Sequence, residues 1–217
     1  MGDDSFHSLF YSRAIANEGR GMPNCGTCDD ETRTRMSRVH EDYKFLPKAL
    51  YGQLCALTVV CCVDVVLQRT RDKKLLLFLR RDAPAAGIWW WPGGRLFKGE
   101  SFQDCALRKI KEETGGRYRI SKVVGIVGVW NTFFPDSAWD ADRSPERAGT
   151  QTVNVVMMCA TDDDETEDSA EETGEVASWA VESQRWVTTE EATTSGLFDK
   201  YVRENVAKAE QMGLLLK

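Results

Sequence analysis

Residues 94–116 read GRLFKGESFQDCALRKIKEETGG, and their second half has the pattern of a helix that carries two adjacent glutamates. Ser101 with Asp104 makes a capping pair, so the helix is expected to start there, and Gly115 or Gly116 supplies its stop. At about 100° per residue, Phe102, Cys105, Ala106 and Ile110 share one apolar face. Glu113 falls inside that face. A lone ionised carboxylate turned toward a core is costly enough to require a compensating cation. Glu112 is one step round the helix, so the pair can share one oxygen-liganded ion. Mg²⁺ suits such a site, with Mn²⁺ as a substitute, because it takes a few carboxylates and leaves other positions for water and phosphate oxygens. Arg108, four residues before Glu112, can hold it from outside the ion's own ligands. The competing reading of the glutamate pair is a solvated charged face.

Upstream, Lys74 to Leu79 forms an apolar run suited to a buried strand, and Pro92-Gly93-Gly94 is a turn that lets backbone approach a ligand closely. Strand, glycine loop and capped helix thus follow in order. Trp89, Trp90 and Trp91 cannot all face one side of a strand, so one of them is expected to meet a nucleobase or a neighbouring chain in a homodimer. Trp90 is the candidate for the base.

The spacing of Gly94, Glu100, Arg108, Ile110, Glu112, Glu113 and Gly115 resembles the Nudix box, with Lys109 standing where that pattern has a glutamate and Gly116 where it has an aliphatic residue. The resemblance implies a Nudix-type α/β/α sandwich with a mixed β-sheet. It also implies a loop carbonyl of Gly93 or Gly94 as a metal ligand, and Glu100 either supporting the loop or completing the metal shell. Residues 84–100, PAAGIWWWPGGRLFKGE, are similar to the GDP-mannose mannosyl hydrolase branch, and the likeness runs over roughly residues 50–205. It implies that Arg80 and Arg95 lie against a diphosphate.

The likeness breaks at the base. That branch uses a histidine just before an arginine-tryptophan segment, where this chain has AVESQRW with Val181 in the histidine's place. The only histidines, His7 and His40, precede the segment that carries the likeness. A base must then come from a carboxylate or from metal-bound hydroxide. Glu182 is the first candidate, ahead of the helix glutamates, against the plainer reading of an exposed strand-edge residue. Lys109 lies one turn before Glu113 and has two roles open to it. Either it pairs with the glutamate and fills the site, leaving a module that binds a nucleotide or a protein, or it touches a phosphate in a working enzyme; the second is expected.

With 217 residues and 42% apolar content, the chain has room for one catalytic domain and an extension. Residues 1–45 read as a mobile arm and 46–217 as the domain. The longest apolar run, Leu54 to Leu67, is broken by Asp64 and reads as a core strand rather than a membrane span. A net charge of −6 disfavours nucleic acid as partner. Residues 161–176, TDDDETEDSAEETGEV, hold nine acids and no base, and read as a self-repelling loop between strands. Seven cysteines, two of them adjacent in an apolar run, fit a reducing compartment such as the cytoplasm. MGDD opens acidic with no apolar segment after it, so no signal peptide is expected.

The expected order is strand (about 55–68), strand (74–80), glycine loop, helix (101–114), strands (119–130, 152–160 and 178–187) and a C-terminal helix (about 197–212). The function this supports is Mg²⁺-dependent hydrolysis, with water as nucleophile, of a nucleoside diphosphate linked to another moiety, a nucleotide sugar being favoured.

Overall fold

The computed structural model describes residue 36 and residues 46–137, 149–162 and 183–217. Most of the expected arm, with His7 and His40, lies outside the described residues, as do Val181, Glu182 and all of the acidic segment after Asp162.

The elements in chain order are α1 (Lys48–Leu57), β1 (Val60–Arg69), β2 (Leu75–Leu79), β3 (Trp89–Trp90), β4 (Gly93–Arg95), α2 (Phe102–Thr114), β5 (Lys122–Phe134), β6 (Thr150–Thr161), β7 (Gln184–Val187), α3 (Thr189–Thr194) and α4 (Lys200–Gln211). Seven strands make one mixed sheet in the order β3-β2-β1-β6-β5, with β4 paired to β1 and β7 to β2. β1 is the central strand. It runs parallel to β6 from Val60↔Thr152 to Arg69↔Thr161, and antiparallel to β2 and β4 on its other side. Neighbours on both edges and helices on both faces explain why VCCVDVVLQR is buried almost throughout rather than alternating.

Two apolar layers sandwich the sheet. On one face Val63, Val65, Leu67, Val155 and Met157 pack against Cys105, Ala106 and Ile110 of α2. On the other, Val66, Leu77, Val156 and Met158 pack against Ala192 of α3 and Val202, Val206 and Ala209 of α4. The architecture is therefore the expected α/β/α sandwich.

α2 follows its sequence closely. Ser101 and Asp104 close a reciprocal capping box, and Gly115 ends the helix in the left-handed region at φ 63°. Other boundaries differ. The strand expected from about residue 55 begins at Val60, because residues 48–57 form α1, whose Tyr51 and Cys55 sit one turn apart against Val60 and Cys62. That helical spacing merged with the apolar strand behind it into one run. The C-terminal helix starts at Lys200, capped by Asp199, and the separate α3 starts behind the Thr188 cap.

Candidate active site

α2 and β4 meet edge to face, and their contact builds the site. Gly93 pairs with Asp64 and Gly94 with Val63 in the β1–β4 ladder. The backbone N–H of Gly93 donates to both carboxylate oxygens of Glu113, at 3.3 and 3.4 Å. Gly93 has no room for a side chain, since a Cβ there would lie 2.3 Å from Asp64 Oδ1 and 2.5 Å from the Val63 carbonyl.

Arg108 organises the loop before the helix. Its Nε donates to Glu100 Oε1 at 2.5 Å, one terminal nitrogen reaches Glu100 Oε2 and the Arg95 carbonyl, both at 3.0 Å, and the other reaches Glu112 Oε2 at 3.1 Å. Glu100 also accepts the Phe97 N–H at 2.9 Å. Of the two roles open to Glu100, this geometry is that of loop support. Arg108 thus contacts Glu112, the residue it is expected to hold.

Lys109 lies on the glutamates, the pairing that was the first of the two roles open to it rather than the expected one. Its ammonium lies 2.9 Å from Glu113 Oε1 and 3.5 Å from Glu112 Oε2. Burial alone would lower the lysine pKa, but the charges of Glu113 and Glu112 outweigh it and the net shift is upward. Burial raises the Glu113 carboxyl above the usual carboxylate range, while Lys109 and the Gly93 N–H pull it back in part. Each of the two residues thus favours the charged form of the other.

A cavity of about 660 Å³ opens over this pair. Arg80, Arg81 and Arg95 line it together with Lys109, Glu112 and Glu113. Arg80 is aimed by its Nε–H donating to the Pro84 carbonyl at 2.8 Å, and the Arg95 guanidinium sits 5.0 Å from the Tyr51 ring and 4.8 Å from the Phe97 ring. Trp90 lines the cavity but is fixed there: it is 5% exposed, stacks on Tyr201 with centroids 4.4 Å apart, and donates its indole N–H to Asp64. Trp91 is also buried and Trp89 half-buried, so the first two serve packing.

Sequence reasoning missed Asp64. This carboxylate is 3% exposed, and its Oδ2 accepts from Asn154 Nδ2 at 2.7 Å, the Tyr201 hydroxyl at 2.8 Å and Trp90 Nε1 at 3.3 Å. Burial raises its pKa, and the three donors offset part of that rise. It lines the same cavity as Glu113. The signal was in the sequence: an acid in the middle of VVCCVDVVL is a buried charge that must find partners. Among the described residues, no group of three or more histidine, cysteine, aspartate or glutamate side chains gathers as a metal-binding cluster. Of the metal set expected from sequence, Gly93, Gly94, Glu112 and Glu113 lie together along the cavity wall.

Fold and site define an α/β sandwich protein whose paired helix carboxylates share one cavity with basic side chains. The chain belongs to the Nudix family, its residues 60–207 matching the NUDIX domain. It is 37% identical over 70 residues to an ADP-ribose pyrophosphatase of Methanocaldococcus jannaschii, covering 32% of this chain and 38% of that protein. It is 38% identical over 61 residues to a putative 8-oxo-dGTP diphosphatase of Bacillus subtilis, covering 28% and 39%. The match therefore spans about two fifths of the length of these relatives. Among solved structures, a MutT protein from Methanosarcina mazei aligns with a TM-score of 0.49 at 18% identity, covering 71% of this chain and 95% of that one.

Proposed function

We propose that this chain is a divalent-cation-dependent hydrolase that cleaves a nucleoside diphosphate linked to another moiety, with a nucleotide sugar such as GDP-mannose as the favoured substrate. The observation that carries the reading is that Glu112 and Glu113 line one cavity together with Gly93, Gly94, Arg80 and Arg95. Glu112 and Glu113 would hold the ion together with a Gly93 or Gly94 carbonyl. When bound, it supplies charge for a diphosphate and an acidified water at neutral pH.

The chain's own residues do the rest. Arg80 and Arg95, which line the same cavity, would neutralise the two phosphates. Arg108 keeps Glu112 and the Arg95 carbonyl in place. Glu182 remains the proposed base, outside the described residues. The relative named as an ADP-ribose pyrophosphatase supports a nucleoside diphosphate core, and the GDP-mannose branch likeness of residues 84–100 supports a sugar on its far side. One observation favours a second reading. The Lys109–Glu113 ion pair is what a Nudix domain that binds without cleaving would carry.

A panel of nucleotide sugars, dinucleoside polyphosphates and nucleoside triphosphates, incubated with Mg²⁺ or Mn²⁺ and followed by mass spectrometry, separates the two. Cleavage of diphosphate-linked sugars in preference to triphosphates is expected. Tight binding of a nucleotide with no product from any substrate would establish the binding module instead.

A further inference from the structure

We infer that Lys109 is a tethered cation that a divalent ion must displace, so that metal binding at Glu112 and Glu113 is an exchange of an ammonium for an ion rather than the filling of an open site. The inference rests on the proposal above that these glutamates form the cation site. Its physical basis is one of geometry and charge. The ammonium lies between the two carboxylates, and among the described residues Glu113 is otherwise held by the weak Gly93 N–H contacts. An ion sharing the same oxygens would stand within van der Waals distance of the ammonium, and two cations at that separation repel strongly at the dielectric of a half-buried site. Both cannot occupy the pair together.

The surroundings permit the exchange. Glu112 keeps its Arg108 bond at 3.1 Å when the lysine leaves, so half of the ion's carboxylate set stays in place. The lysine stem passes over Gly94, where a Cβ would meet its Cε at 3.0 Å, and the absence of a side chain there leaves the stem free to swing. Four rotatable carbons let the ammonium reach the cavity beside Arg95, where an anionic substrate would receive it. The exchange makes the site weak for ions in the absence of substrate and stable without them.

Mn²⁺ binding to the full chain, read from the free-ion paramagnetic resonance signal and by calorimetry without any substrate, tests this on wild type, Lys109→Met and Lys109→Arg. Lys109→Met is expected to bind Mn²⁺ at least about tenfold more tightly than wild type, and Lys109→Arg to remain as weak as wild type, since each tenfold step reflects removal of the competing charge. Lys109→Met is also expected to melt lower than wild type without ion and to recover with it. Equal or weaker binding by Lys109→Met overturns the displacement while leaving the cation site intact. Binding by none of the three removes the cation site and the proposed function with it. Should Lys109→Met not fold, ¹⁵N detection of lysine side-chain ammonium groups in wild type reads the same event. The Lys109 signal, assigned by its loss in Lys109→Arg, is expected to move on addition of Mg²⁺, and a signal unchanged at saturating ion overturns the inference.

Discussion

Replacing Gly93 by alanine puts a methyl group into the closest contact of the site. The new Cβ would lie 2.3 Å from Asp64 Oδ1, 2.5 Å from the Val63 carbonyl and 2.8 Å from the Asp64 Cα. Two of these three atoms belong to the backbone of the central strand, which cannot yield without breaking the β1–β6 ladder, so β4 must move instead. Overpacking of this kind costs on the order of 3 kcal/mol. For a chain of this length that corresponds to a fall in Tm of roughly 6–12 °C. The displacement also pulls the Gly93 N–H from Glu113, so turnover should fall beyond the loss of folded protein. Thermal melts by circular dichroism and kcat on the folded fraction measure both. A Tm within about 2 °C of wild type, with turnover unchanged, would refute the close approach of β4 to Asp64 on which the site is built.

Three further outcomes follow from the same geometry. Glu113→Gln should lose about two orders of magnitude in kcat, roughly 2.7 kcal/mol of barrier, and a mutant as active as wild type would remove Glu113 from the cation site. Asp64 has a folded pKa raised by burial, so its ionisation is penalised in the native state and its stability contribution is lost as pH rises above its unfolded value of about 4. Urea midpoints of wild type should therefore decline relative to Asp64→Asn from pH 4 to pH 7, and parallel curves would contradict the shift. Deletion of residues 1–45, proposed as an arm outside the domain, should leave Tm and turnover nearly unchanged; a large fall in either would place that segment against the domain.

The parts of the fold legible in the sequence are those fixed by local chemistry. The Ser101–Asp104 box and Gly115 stop bracket the thirteen residues of α2, and the Arg108–Glu112 spacing puts those side chains on one helix face. β2 and β6 were legible because their apolar runs are bounded by turn residues and they are buried on both faces. What the sequence hid depends on partners far along the chain. Asp64 finds Asn154 and Tyr201 at sequence separations of 90 and 137, and no local pattern reports such a meeting. Trp90 is drawn into the core by the same cluster, which is why its expected contact with a base gives way to stacking on Tyr201. Lys109 was ambiguous for a different reason. Its spacing allows a partner in the helix or in the cavity, and only the depth of Glu113 against Gly93 decides that the ammonium lies on the carboxylates.

The central claim, ion-dependent hydrolysis at the Glu112–Glu113 pair, is tested most directly by a single-turnover reaction in ¹⁸O-labelled water. The purified chain, in excess over a GDP- or ADP-linked sugar, is given Mg²⁺, then EDTA, with Glu112→Gln and Glu113→Gln run beside it. The account predicts two fragments with one ¹⁸O atom incorporated, no product in EDTA, and slow or absent product from both mutants. Intact substrate in the wild-type reaction while the nucleotide remains bound would contradict it.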